Sequence, residues 1–537
     1  MKRLAIIIAI LYGTIISLGA QSGPDFRVML EELPLAGFPG VQAFVVGESD
    51  GKLLVIGGRK DGLHRRQPFA AFDVPGMNNH IFVLDPLTQT LWSKPLSELT
   101  VALAEQLQST NMEFRQRGKM LYITGGYGYS NTAGDHITFP YLTAVDVDGA
   151  VEAIINNQPL QPHFRQVEDE RMQVTGGYLD LLGDYFYLAG GQKFIGRYNP
   201  MGPDHGPGFF QEYTNEIRRF KIADDGSALT LTDYDAWRDT QNLHRRDYNL
   251  APQIFPDGRQ GFTLFSGVFQ YDQDLPWLNV VDVDSSGFTV NNNFEQHLNQ
   301  YHTAHLPLYS AAENQMHTIF FGGMSRFQVD DVTGFLIDDV NVPFVKTISM
   351  TTRHSDGQMT EVKIGDMPYL TGSSAEFVPH KDAPRYENGV LKFDELDSDT
   401  ALVGYILGGI QSTQPNIFFI NTGVESVASN RLFKVFLVKN VNSASKQVEQ
   451  GNALHVAASP NPFREELQIT FETTVRQTIG IQILDAAGKK VLRIPEQEYQ
   501  AGKHQVPASL RWFPKGVYNV LLGSQGKIIA RCQIIKA

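Results

Sequence analysis

Cysteine is almost missing. The 537 residues contain one, Cys532, so no intramolecular disulfide and no cysteine-based metal cluster can form. Basic residues are also in short supply, with 45 Lys and Arg against 58 Asp and Glu and a formal net charge of −13. That balance argues against a nucleic-acid partner, which needs a basic face. The Arg65-Arg66 and Arg245-Arg246 pairs read as solvated surface. No Gly-Lys-Ser phosphate loop and no His-Glu-x-x-His pair occurs, so no motif points to a cofactor or a metal. His302-x-x-His305 falls in a strand-like stretch, where positions i and i+3 point to opposite faces and share no metal. Asp394, Glu395, Asp397 and Asp399 read as a solvated acidic loop rather than a calcium site.

What is present is glycine, proline and apolar residues. The 49 glycines and 27 prolines, with 42% hydrophobic and 19% charged residues, describe a globular chain of many short strands and turns. At the N-terminus, Lys2-Arg3 precedes an apolar stretch from Leu4 to Ile16, too short to span a membrane comfortably. Residues 1–20 are expected to be an export signal cut after Ala20, or alternatively after Gly19. No cysteine lies there to accept a lipid, and no transmembrane segment is expected once the signal is removed.

Six apolar runs end in a small, glycine-dominated doublet: Gly57-Gly58, Gly125-Gly126, Gly190-Gly191, Ser266-Gly267, Gly322-Gly323 and Gly408-Gly409. Before each run stands a strand-like segment and, in most units, a tight turn such as Arg117-Gly118-Lys119. After each doublet comes a longer irregular segment, then further strands. Third strands read as Ile81–Leu84, Leu142–Val145, Ile217–Phe220, Leu278–Val281, Val345–Ile348 and Ile417–Ile420. Fourth strands follow, as at Thr90–Trp92 and Phe433–Leu437. Four antiparallel strands in each of six units predict an all-β, six-bladed β-propeller over residues 21–440. A strand near Phe26 to Leu30 is a candidate for closing the ring. Glycine at the doublets would let backbones approach closely and end the second strand in an unusual conformation.

The first unit resembles the kelch family through Val55-Ile56-Gly57-Gly58, Asn79 to Pro86, Thr88 and Trp92. The other units lack the late tryptophan, and the doublets lie 56 to 86 residues apart, wider than the kelch period of about 50. The resemblance implies a fold and little about function, because kelch propellers include enzymes and binding scaffolds. Kelch-type copper oxidases need a tyrosine crosslinked to cysteine, which Cys532 in the tail cannot supply.

Residues 441–453 have a polar, small-residue linker composition, and 454–537 read as a second unit, a small immunoglobulin-like β-sandwich. This tail resembles the type A C-terminal sorting domain of the type IX secretion system of Bacteroidetes. The matching features are Pro460-Asn461-Pro462, the Asp485 to Lys489 turn, Gly516-x-Tyr518 and Lys536. The resemblance implies handling by the type IX machinery, passage through the periplasm and delivery outside or to the cell surface.

The segments after the doublets, such as 59–78, 127–140, 192–214, 268–276 and 324–341, are long, and long loops on one rigid end collect binding function. Arg59, Tyr127, Tyr129, Arg197, Tyr198, Tyr271 and Arg326 on these loops could stack on sugar faces or hold carboxylates. Gln42, Asn111 and Asn249 stand at the starts of first strands and are expected at the channel mouth. The leading reading is a binding protein for an extracellular ligand, most simply a glycan. Two alternatives stay open. One is a carbohydrate-active enzyme, a sialic-acid mutarotase-like protein or a lyase, using Glu113, Arg171 and His302. The other is a protein–protein scaffold of the envelope.

Overall fold

The computed structural model describes residues 25–67, 69–330, 336–439, 456–473, 475–485, 490–524 and 527–537. The expected export signal, the linker and the core of the Asp485 to Lys489 turn lie outside them. Strands hold 55% of the residues and helices 7%, which places the protein in the all-β class.

Six units of antiparallel strands follow one another along the chain, three as separate four-stranded sheets, two merged in one ten-stranded sheet and one in a five-stranded sheet whose extra strand, Leu391–Lys392, runs parallel to His305–Ser310. Their first strands are Val45–Ser49, Thr110–Arg117, Thr175–Leu182, Asn249–Ile254, His305–Ser310 and Ala375–Pro379. The first five each pair with the next strand in sequence across a short turn, whereas Ala375–Pro379 pairs with Thr400–Gly408, past the short strand Leu391–Lys392. The hairpin strand Asp135–Thr138 joins the second and third units by pairing with Met120–Ser130 and meeting Ile195 through Ile137.

The sixth unit departs from expectation. Residues 417–420 form a turn, not a third strand. Of that apolar run only Ile417 enters the interior, against Phe344 and Ile410, while Phe419 and Ile420 are 58% and 51% exposed. The third strand is Leu432–Lys439, and the fourth comes from the far end of the chain. Phe26–Leu33 pairs with it in unbroken register from Phe26↔Lys439 to Leu33↔Leu432. In the fourth unit the third strand begins at Val280, two residues late, because Arg245 engages both the carbonyl and the side-chain amide oxygen of Asn279. Arg245 is fully buried and also donates to the carbonyls of Asn242 and Ser266, so the Arg245-Arg246 pair is not the expected solvated surface.

Every doublet residue has positive φ, Ser266 included. The second member of five doublets donates its N–H to a carbonyl just before the first strand of the next unit. These bonds are Gly58→Ser109, Gly126→Val174, Gly191→Arg245, Gly323→Thr371 and Gly409→Val41, at 2.7–2.9 Å. The last of them returns from the sixth unit to the first. The apolar core repeats the same cycle. One cluster is shared by each successive pair of units, for example Leu54 with Leu121, Tyr122 with Phe186, Tyr187 with Phe262, and Phe265 with Phe320. Two more join the fifth unit to the sixth and the sixth to the first, where Leu407 packs with Val55. Burying each such side chain contributes roughly 1.5–3 kcal/mol, so the seams between units carry the stability that disulfides cannot.

The tail has two sheets. Val456–Ser459, Glu466–Thr473 and Gly502–Ser509 form one. The other runs in the order Lys490–Tyr499, Gln477–Asp485, Gly516–Ser524, Lys527–Lys536. Ile469, Phe471, Ile481, Val520 and Ile534 belong to their common core. Cys532 is half-buried against it, and burial pushes its thiol up to about 11, which keeps it protonated and unreactive.

Candidate functional site

Within three residues of the start of each first strand stands a residue with positive φ: Ala43, Asn111, Gly176, Asp247, His302 and Ser374. Five of the six are not glycine, and such conformations are sparse for other residues. Each unit is tied to its predecessor here. Backbone N–H groups of Asn111, Asp247, Ser374 and Ala43 donate to the carbonyls of Ala43, Gly176, His302 and Ser374. The Thr175 hydroxyl donates to Asn111, and the Thr303 N–H donates to the Asn249 side chain. Six links therefore close a circle.

Two cavities, of about 530 Å³ and about 480 Å³, meet at these links, with Asn111, Gly176 and His302 lining both. The first is walled by all six segments that follow the doublets. They contribute Phe72, Tyr127, Tyr198, Phe269, Val340 and Phe419, among others. Arg59, Arg66 and Arg246 also line it. Arg59 forms a two-pronged pair with Asp61 and lies 5.2 Å over Phe72. Arg246 pairs with Asp247 and donates to the Tyr213 hydroxyl at 3.0 Å. Burial lowers His64 to about 4, so its imidazole is neutral.

Of the expected ligand residues, Gln42, Arg59, Asn111, Tyr127 and Tyr198 line the first cavity. Tyr127 is committed to structure, donating to the Gly196 carbonyl and accepting from the Tyr198 N–H. The other five line neither cavity. Tyr129 rests on His136, and Tyr271 stacks on His244 at 4.0 Å. Arg197 pairs with Asp73 and Arg326 with Asp338. Asn249 stitches the fourth unit to the fifth. Sequence reading missed Arg66, Tyr301 and Phe419. The regular placement of a long segment after each doublet was the signal that could have brought in 410–431.

Glu113 lines the second cavity only, His302 lines both, and Arg171 lines neither. Arg171 binds Asp169 and lies 4.7 Å over Tyr234. The acid, cation and base expected together are therefore not brought together. His302 and His305 both line the second cavity, contrary to the opposite-face expectation, because His302 precedes the strand that starts at His305. The His302 Nε2 lies 3.7 Å from a Glu376 oxygen. Asp394 accepts from the backbone of Ala311 and Ala312, tying down a turn.

Glu113 is 3% exposed and accepts from the Gly177 N–H at 2.8 Å. Desolvation pushes its carboxyl well above the usual range, favouring the protonated form. The folded chain thus holds a proton that the unfolded chain releases above pH ~4.3. Stability from this group is complete below that pH and is lost as pH rises toward the folded value. Glu113→Gln, which mimics the protonated carboxyl, should lose less stability than wild type between pH 4.5 and 8. The gap should be about 1.4 kcal/mol for each unit of upward displacement crossed. Urea midpoints across that range measure it, and parallel curves would refute a protonated Glu113.

In the tail, the expected sorting residues lie together. The Asn461 side-chain oxygen accepts from the Ile535 N–H at 2.8 Å, and Phe463, just after Pro462, bridges to Lys536. The Tyr518 hydroxyl donates to the Pro514 carbonyl, and Gly516 pairs with Lys536. Two regions are thus defined: the sheets that wall the first cavity, and a two-sheet tail. Residues 458–536 match the family model of the secretion system C-terminal sorting domain. No curated protein matches the chain. The sorting domain marks proteins exported by the type IX secretion system to the cell surface or the extracellular space, and this protein is exported by that route.

Proposed function

We propose that residues 21–440 form a six-bladed, kelch-type β-propeller that binds an extracellular glycan in the cavity walled by its long segments. The carrying observation is that cavity itself, about 530 Å³ with aromatic walls and guanidinium groups, opening where all six units meet. Aromatic faces stack on the apolar faces of sugars, and a cavity of this size suits a short oligosaccharide. Export to the outside places such a site where glycans are found. Phe419 lines the cavity and is 58% exposed, so its truncation spares the core. Phe419→Ala should weaken binding on a glycan array by about tenfold, the worth of one lost stacking contact, with an unchanged melting temperature. Binding of no glycan by the wild type would overturn the proposal.

One observation favours the scaffold reading. Large apolar side chains are exposed on three of the same segments, including Phe69, Ile337, Val340, Ile420, Val424 and Val427. Exposed apolar side chains suit a protein surface better than a sugar. Val424→Asp with Val427→Asp should abolish capture of an envelope protein and leave glycan binding intact if these side chains serve that role. The enzyme reading keeps Glu113 and His302 in the second cavity without Arg171.

A further inference from the structure

We infer that the sugar taken by the first cavity is acidic, with its oxyanion seated on the Arg66 guanidinium. The inference rests on the glycan-binding reading above. Three guanidinium groups line the cavity, and two are already matched: Arg59 by Asp61, and Arg246 by Asp247 and the Tyr213 hydroxyl. Arg66 has no hydrogen-bond acceptor and no carboxylate partner among the described residues. It lies 4.5 Å over the Phe419 ring and 5.9 Å from that of Phe418. Aromatic faces hold the plane of a guanidinium and leave its N–H edge pointing outward, and that edge matches the two oxygens of a carboxylate.

A second donor stands in the same lining. The Tyr301 hydroxyl is buried and has no hydrogen-bond partner among the described residues, and burial pushes its pKa up, so it remains a donor. An unpaired buried hydroxyl costs stability unless something completes it. The lining holds two carboxylates, Asp247 and Asp274. Asp247 is paired with Arg246, and Asp274 is exposed, where water screens its repulsion. The cavity thus offers a cation and a donor that nothing among the described residues answers.

The test uses the full secreted chain on an array carrying carboxylated and sulfated oligosaccharides beside their neutral parents. Wild type should prefer at least one acidic set over its neutral parents by about tenfold, and the two acidic arms tell carboxylate from sulfate. Arg66→Met should reduce that preference to about twofold while retaining binding to the neutral parents, and Arg66→Lys should keep part of it. An unchanged melting temperature for both variants confirms an intact fold. Equal binding of acidic and neutral sugars, or a preference that survives Arg66→Met, overturns the inference and leaves the glycan reading standing. Absence of binding to every sugar overturns both.

Discussion

Gly125→Ala is expected to destabilise the protein by on the order of 4 kcal/mol or more, enough to abolish soluble export. A Cβ at this position would lie 1.8 Å from the Val174 carbonyl oxygen and 2.9 Å from the Glu113 carboxyl. Neither neighbour can step aside. The carbonyl accepts the Gly126 N–H at 2.9 Å, and the carboxyl is held by the Gly177 N–H. The substitution therefore pushes the second unit off the third at the point where they are bonded. Gly118 separates this contact from backbone preference. Its φ is +58° against +66° for Gly125, yet nothing lies within 4 Å of a Cβ built there. Gly118→Ala should cost only about 1–2 kcal/mol, the left-handed penalty alone. Urea denaturation followed by circular dichroism compares the two. Equal midpoints would mean that the doublet needs glycine only for its φ and not for the approach of the next unit. Ser266 marks where the rule relaxes. It carries a side chain at φ 60°, and its hydroxyl donates to the Asn299 carbonyl in the following unit.

The repeat was legible because its requirement is written in residue type. A backbone that must take positive φ and receive a carbonyl at close range selects glycine, and that selection survives wide variation in loop length. Ile417 to Ile420 misled for the opposite reason. Four apolar β-formers look like a strand, but their content carries no partner information, and the place beside Thr400–Gly408 belongs to Leu432–Lys439. The cavity was half legible. Gln42 and Asn111 followed from their place at the strand starts, and Arg59 and Tyr198 from their place in the segments after the doublets. Tyr129, Tyr271, Arg197 and Arg326 failed because each has a partner within the loops, namely His136, His244, Asp73 and Asp338. Arg66 was passed over because what distinguishes it is the lack of such a partner, which only packing reveals.

Lys536→Met should strand the protein inside the cell while leaving the cavity-bearing region folded. Lys536 is 8% exposed, and its ammonium donates to the carbonyls of Leu510, Arg511 and Phe513 at 2.7, 3.0 and 2.6 Å. Three donors meet three acceptors, so a buried cation is fully satisfied without a carboxylate. Methionine keeps the length of the stem and removes every bond, leaving three carbonyls without their shared donor. Loss of about 3 kcal/mol is expected, since hydrogen bonds to a charge are the strong ones. The neighbouring backbone is fastened to the opening of the same domain. Phe463 donates to the Ile535 carbonyl and Ala537 donates to that of Phe463, beside the Asn461 to Ile535 bond. Loosening Lys536 therefore frees the last strand from the Pro-Asn-Pro segment, the two ends that the sorting domain brings together. Fractionation followed by immunoblot should show about a tenfold fall in surface and secreted protein, with the periplasmic pool rising to match. Lys503→Met is the control, because that side chain is 77% exposed and its pairing with Glu472, at 4.0 Å, is worth little. Normal export of Lys536→Met would show that the machinery reads the tail without needing this fastening.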